Sequence, residues 1–77
     1  MKNDNLINEL QEIIKQELEV EVDREDNLKI CGVDSLSLVL IISRIEEFYN
    51  VIFLEDDLDP LKLITLNDLA SLVRKYR

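Results

Sequence analysis

The stretch "CGVDSLSLVLII", Cys31 to Ile42, decides how this chain is read. It holds the only cysteine and the only glycine of a 77-residue sequence. Gly32 permits a sharp turn, because a residue without Cβ tolerates backbone conformations that others resist. Asp34 follows as a helix cap, its carboxylate able to accept a first-turn backbone N–H. From Ser35 an apolar helical period runs to Tyr49, and Asn50 can close it in the left-handed conformation. Leu38, Ile41, Ile42, Ile45, Phe48 and Tyr49 share one face and form the expected core stripe. Ser37, Ser43, Arg44, Glu46 and Glu47 occupy the opposite side. Leu36, Val39 and Leu40 lie among these polar residues, where a simple amphipathic helix has no use for them. An exposed apolar patch is therefore expected within two turns of Ser35, and such patches mark contact sites.

With Asp34 as the cap, Ser35 falls in the first helical turn and its hydroxyl points to solvent. Unpartnered backbone N–H groups and the positive end of the helix dipole lie close by. A phosphate attached to that hydroxyl would be electrostatically favoured there.

Two more helices are legible on either side. The first is expected from about Asn5 to Glu19, with Leu6, Ile7, Leu10, Ile13, Ile14 and Leu18 on one face and Asp4 or Asn5 as its cap. The last is expected from about Leu66 to Tyr76. Thr65 caps it, Asp68 completes a near capping box, and Leu66, Leu69, Ala70, Val73 and Tyr76 form its buried stripe. Arg74, Lys75 and Arg77 stand at its C-terminal end, where the dipole favours cations. In the connection "VEVDREDNLKICGV", Val20, Val22, Leu28 and Ile30 are expected to reach the core. In "FLEDDLDPLKLI", Pro60 is expected to open a short helix capped by Asp59, since proline suits a first helical position. The expected fold is all-α: one domain over residues 1–77, a small four-helix bundle of three main helices and one short one.

Composition narrows the function. The chain carries 17 acidic and 9 basic residues, a formal charge of −8. Nucleic acid is not an expected partner, because phosphate backbones need clustered Lys and Arg. The acidity has two readings: it steers partners with basic surfaces by long-range attraction, or it only keeps a small protein soluble. The sequence has no histidine, which removes the commonest general base and metal ligand and every Ser–His triad. A single cysteine forms no internal disulfide, and Cys31 is read as a small semi-buried hydrophobe. The polar start "MKNDNLINEL" is unlike a signal peptide, and the apolar run at 36–42 is too short to span a membrane. A monomer in the cytoplasm is expected.

"GVDSL", Gly32 to Leu36, opening the second helix of a small acidic bundle, resembles the signature of the acyl carrier protein family. The order of elements agrees: a helix, a long loop, the motif helix with "IEEFYNV" (Ile45 to Val51), an acidic connection and a Thr-capped last helix. The resemblance implies a carrier and not an enzyme. Ser35 would bear 4'-phosphopantetheine, attached covalently from coenzyme A by a Mg²⁺-dependent phosphopantetheinyl transferase. Asp34 would cap the helix and present Ser35. Leu36, Val39 and Leu40, with Glu46 and Glu47, would meet loading and downstream enzymes through their basic and apolar docking patches.

The departures from the family pattern are specific. Ser37 and Leu40 stand where fatty-acid carriers usually place acidic residues, Cys31 replaces a common leucine, and a common proline is replaced near Leu54. These favour a free-standing carrier of acyl or aminoacyl thioesters in a specialised pathway of the polyketide or nonribosomal-peptide kind. The alternatives are a general fatty-acid carrier and an unmodified helical adaptor binding through Leu36, Val39 and Leu40. A calcium loop is rejected. In a loop beginning at Asp23 the sixth position is Leu28, and in one beginning at Asp57 it is Lys62, where an EF-hand needs glycine.

Overall fold

A computed structural model describes residues 4–76, with the side chain of Asp4 excepted. Helix α1 spans Asp4–Leu18, α2 spans Ser35–Tyr49 and α3 spans Leu66–Tyr76. A single 3₁₀ turn, Glu55–Asp57, lies between α2 and α3. The described residues contain no strand.

Helix α1 packs against both α2 and α3. It can do so because its apolar stripe is broad: Leu6, Ile7, Leu10, Ile13 and Ile14 are all buried. The centre of the core is made by Leu10 and Ile14 of α1, Ile41 and Ile45 of α2, and Leu66, Leu69 and Val73 of α3, each fully buried. The stripe of α3 also takes in Leu72, while Tyr76 is half-buried. At the surface, Arg44 of α2 donates to Glu17 of α1 at 2.6 Å, and the Tyr49 hydroxyl donates to Glu9 at 2.6 Å.

The helix ends follow local chemistry. Asp34, in extended backbone, accepts the Ser37 N–H at 2.9 Å, and Asn50 closes α2 with φ 57°. At α3, Thr65 Oγ1 accepts the Asp68 N–H at 3.3 Å, while Asp68 Oδ2 accepts the Thr65 and Ile64 N–H groups at 3.0 and 2.9 Å. Aspartate thus completes the capping box in place of the usual glutamate. Helix α1 ends one residue earlier than expected. Glu19 turns left-handed, with φ 59°, and its N–H reaches the Lys15 carbonyl at 2.8 Å. Asn5 lies inside α1 and caps nothing. The Asp4 side chain, expected as the alternative cap, and Arg77 lie outside the described residues.

Three further expectations are corrected. Ile30 does not reach the core and is 84% exposed. Residues 27–33 are wound into successive turns, with the Cys31 N–H on the Asn27 and Leu28 carbonyls and the Val33 N–H on Leu28. Through these turns the side chains no longer alternate as in a strand, so Leu28 and Ile30 do not share a face: Leu28 and Val33 are buried and Ile30 faces out. Phe48 is 58% exposed and lies over a shallow groove beside Ile13, Gln16 and Glu17 of α1. It sits at the rim of the arc that α1 covers, with its ring edge-to-face against Tyr49. The short helix at Pro60 is only a turn. Asp59 does accept the Leu61 N–H, at 2.9 Å, but Leu63 must then enter the core and the chain straightens into the α3 cap. Among the described residues the one short helical element is the 3₁₀ turn upstream, held where Tyr76 receives the Leu54 N–H at 2.8 Å.

Candidate functional site

The site is built around the start of α2. The turn that delivers it closes with the Gly32 N–H on the Lys29 carbonyl at 3.1 Å. Gly32 has φ 107°, a conformation that side-chain-bearing residues rarely adopt. A Cβ there would meet only Val20, at 3.9 Å, so backbone conformation and not space calls for glycine. Val33 then anchors the segment in the core, and Asp34 caps α2. The Ser37 N–H holds the Asp34 carboxyl below the usual carboxylate range, so the cap is ionised at neutral pH. Ser35 follows as the first helical residue and is exposed.

The first turn of α2 contains no acidic residue. Its outer face is apolar: Leu36 is 82% exposed, Val39 64% and Leu40 43%. These three surround the helix start as the sequence implied. Glu46 and Glu47 do not join them. They lie near the other end of α2, about 16–18 Å from Ser35 along the axis at 1.5 Å per residue. Glu46 is half-buried and its carboxylate accepts the Phe53 N–H at 2.9 Å, while Glu47 pairs with Arg44 at 3.0 Å. Glu46 therefore fastens the chain that leaves α2.

Beside Ser35 opens a cleft of about 180 Å³ that sequence reasoning did not find. One wall is Asn27, Leu28 and Lys29 from the α1–α2 connection, and the floor is Val33 and Leu38. The opposite wall is Pro60, Leu61, Leu63 and Ile64 from the α2–α3 connection. Backbone bonds hold the walls at this spacing: the Leu28 N–H donates to Ile64 at 2.8 Å and the Asn67 N–H to Arg24 at 3.1 Å. Pairings between such distant segments leave no local signal. Cys31 is half-buried against the core, as expected. Burial, then the carboxylates of Asp26 and Asp23, push its thiol pKa up, which disfavours the reactive thiolate.

An exposed serine hydroxyl, an ionised cap that fixes it, an unobstructed glycine turn and an adjoining mostly apolar cleft together suit a long covalently attached group. The family model described as "phosphopantetheine attachment site" matches residues 8–74. The chain belongs to this family. Its domains carry covalently attached 4'-phosphopantetheine, act as carriers and not as enzymes, and are modified by phosphopantetheinyl transferases. No curated protein and no solved structure gives a significant match. In this carrier, everything that surrounds the helix start comes from α2 and the two long connections.

Proposed function

We propose that Ser35 is the attachment residue, that Asp34 presents it, and that the chain is a dedicated carrier of acyl or aminoacyl thioesters in a specialised biosynthetic pathway. When bound, the prosthetic group supplies the thiol on which such loads ride. The chain's own residues position it. Asp34 and Gly32 fix the helix start, and Leu36, Val39 and Leu40 offer apolar contact to the enzymes that must approach Ser35.

The observation that carries the proposal is the outer face of the first two turns of α2. It exposes Leu36, Val39 and Leu40 and holds no first-turn carboxylate. A carrier serving many enzymes through charge would present anions at that point. An apolar patch instead gains affinity by desolvation against a matching surface, which suits a small set of partners. The rest of the chain, at −8, still attracts basic surfaces over longer range. Glu47 is an exposed contributor to that field, and Glu46 a partly buried one.

Incubation with coenzyme A and a broad-specificity phosphopantetheinyl transferase, followed by intact-mass measurement, tests the attachment. The native chain should gain one phosphopantetheine and Ser35→Ala none. A folded native chain that gains nothing, beside a control carrier that does, would leave the unmodified adaptor as the function. Thioester loading of the holo chain by fatty-acid, polyketide and adenylating enzymes in parallel then tests the pathway. Equal use by fatty-acid enzymes would refute the specialised assignment.

A further inference from the structure

Attaching a phosphodiester to Ser35 sets a second anion next to the Asp34 carboxylate, on a chain already at −8. Two like charges a few ångströms apart repel, and a cation beside them offsets that repulsion. Among the residues lining the cleft beside Ser35, Lys29 is the only cation and Asp34 the only anion. Lys29 has no ion-pair partner among the described residues, whereas Lys15, Arg44 and Lys75 are each paired. Its backbone is already fixed: the Lys29 N–H donates to Asn27 Oδ1 at 2.9 Å and its carbonyl accepts the Gly32 N–H. Only the side chain then remains to be ordered. Leu28, Leu38, Leu61 and Ile64 line the cleft around it and suit the dimethyl-bearing carbon that follows the phosphodiester in the arm.

Resting on Ser35 as the attachment residue, we propose that Lys29 is a positioning residue for the prosthetic group. Its ammonium pairs with the phosphodiester and lays the first part of the arm into the cleft between the two long connections. The arm is then held near the helix start instead of sampling solvent freely, and a docking enzyme draws it out. The pairing weakens as ionic strength rises, as for any partly exposed ion pair.

The first test uses the native chain before and after loading with coenzyme A, with completeness confirmed by mass. The ε-carbon resonances of the lysines are followed through their titration. Loading should raise the midpoint of Lys29 and leave that of Lys62, which is exposed and outside the cleft, unchanged. A midpoint for Lys29 that moves no more than that of Lys62 overturns the proposal. The second test compares backbone amide shifts between the unloaded and loaded forms. Changes should extend to Leu61 and Ile64 in the native chain and in Lys29→Arg, and contract to the start of α2 in Lys29→Gln. Undiminished changes in Lys29→Gln also overturn it. The two levels of the claim fail separately. No mass gain on the native chain removes attachment and this pairing together, whereas a mass gain with an unresponsive Lys29 removes the pairing alone.

Discussion

The backbone N–H of Leu28 donates to the carbonyl of Ile64 at 2.8 Å, joining the two connections that flank the start of α2. The Leu28 side chain is buried beneath this bond, so the walls of the cleft are tied by main chain and by core. In hydrogen exchange the Leu28 and Asn67 amides should therefore be among the slower loop amides. The Lys29 amide, bonded only to the exposed Asn27 side chain, should exchange much faster. Equal and rapid exchange of all three would mean that the connections move independently.

A second tie links the end of α3 to the 3₁₀ turn. The Tyr76 hydroxyl donates to Asp57, Lys75 pairs with the same carboxylate at 2.8 Å, and the Tyr76 ring meets Phe53 edge-to-face at 4.9 Å. Bonds from Lys75 and Tyr76 hold the Asp57 carboxyl below its ordinary range, and Asp57 in turn raises Lys75 and Tyr76 above theirs. The Asp57 contribution is present above the unfolded carboxyl pKa and lost as pH falls through the lowered folded value. The Lys75 and Tyr76 contributions are present below their unfolded values and lost as pH rises through the raised ones. Urea midpoints should thus fall at both pH extremes, and Asp57→Asn should flatten the acid limb. All these groups are exposed enough for salt to reduce the effect.

Buried and exposed apolar residues of α2 should separate cleanly. Ile41→Ala removes a fully buried side chain and should cost about 2–5 kcal/mol in denaturant unfolding. Leu36→Ser and Val39→Ser should change stability by about 0.5 kcal/mol or less. They should nevertheless raise the KM of a cognate partner enzyme for the carrier. A patch variant that unfolded the chain as readily as Ile41→Ala would show that these residues are core.

Two backbone positions should respond oppositely to substitution. Glu19 is left-handed at the end of α1, so Glu19→Gly should stabilise the chain by up to about 1 kcal/mol in urea unfolding. Gly32→Ala places a Cβ in ordinary contact with Val20 but on a positive φ, and should destabilise by about 1–3 kcal/mol. A neutral Gly32→Ala would show that the turn before Ser35 adjusts at no cost.

Replacing Asp34 tests the cap apart from the hydroxyl. Asp34→Asn keeps an acceptor for the Ser37 N–H and should retain most of the stability, whereas Asp34→Ala should lower the urea midpoint. Because the Asp34 carboxyl is held below its ordinary range, the difference between native and Asp34→Ala should narrow as pH falls through its folded pKa, leaving the share owed to a neutral acceptor.

The sequence by itself determined the parts whose causes lie within a few residues. The bounds of α2 and α3, the Asp34 and Thr65 caps, the left-handed Asn50 and the exposure of Leu36, Val39 and Leu40 all follow from apolar period and first-turn chemistry. Only the tertiary structure decided the rest. Ile30 and Phe48 are apolar and correctly spaced, yet the turns of the α1–α2 connection face one outward and the limited cover of α1 leaves the other at the rim. The short helical turn formed where Leu54 and Asp57 could reach Tyr76, not where proline favoured a helix start. The cleft beside Ser35 exists because Leu28 finds Ile64 and Asn67 finds Arg24 across the fold. Backbone groups make those bonds, and every residue but proline carries the same ones, so no pattern of side chains could announce which would meet.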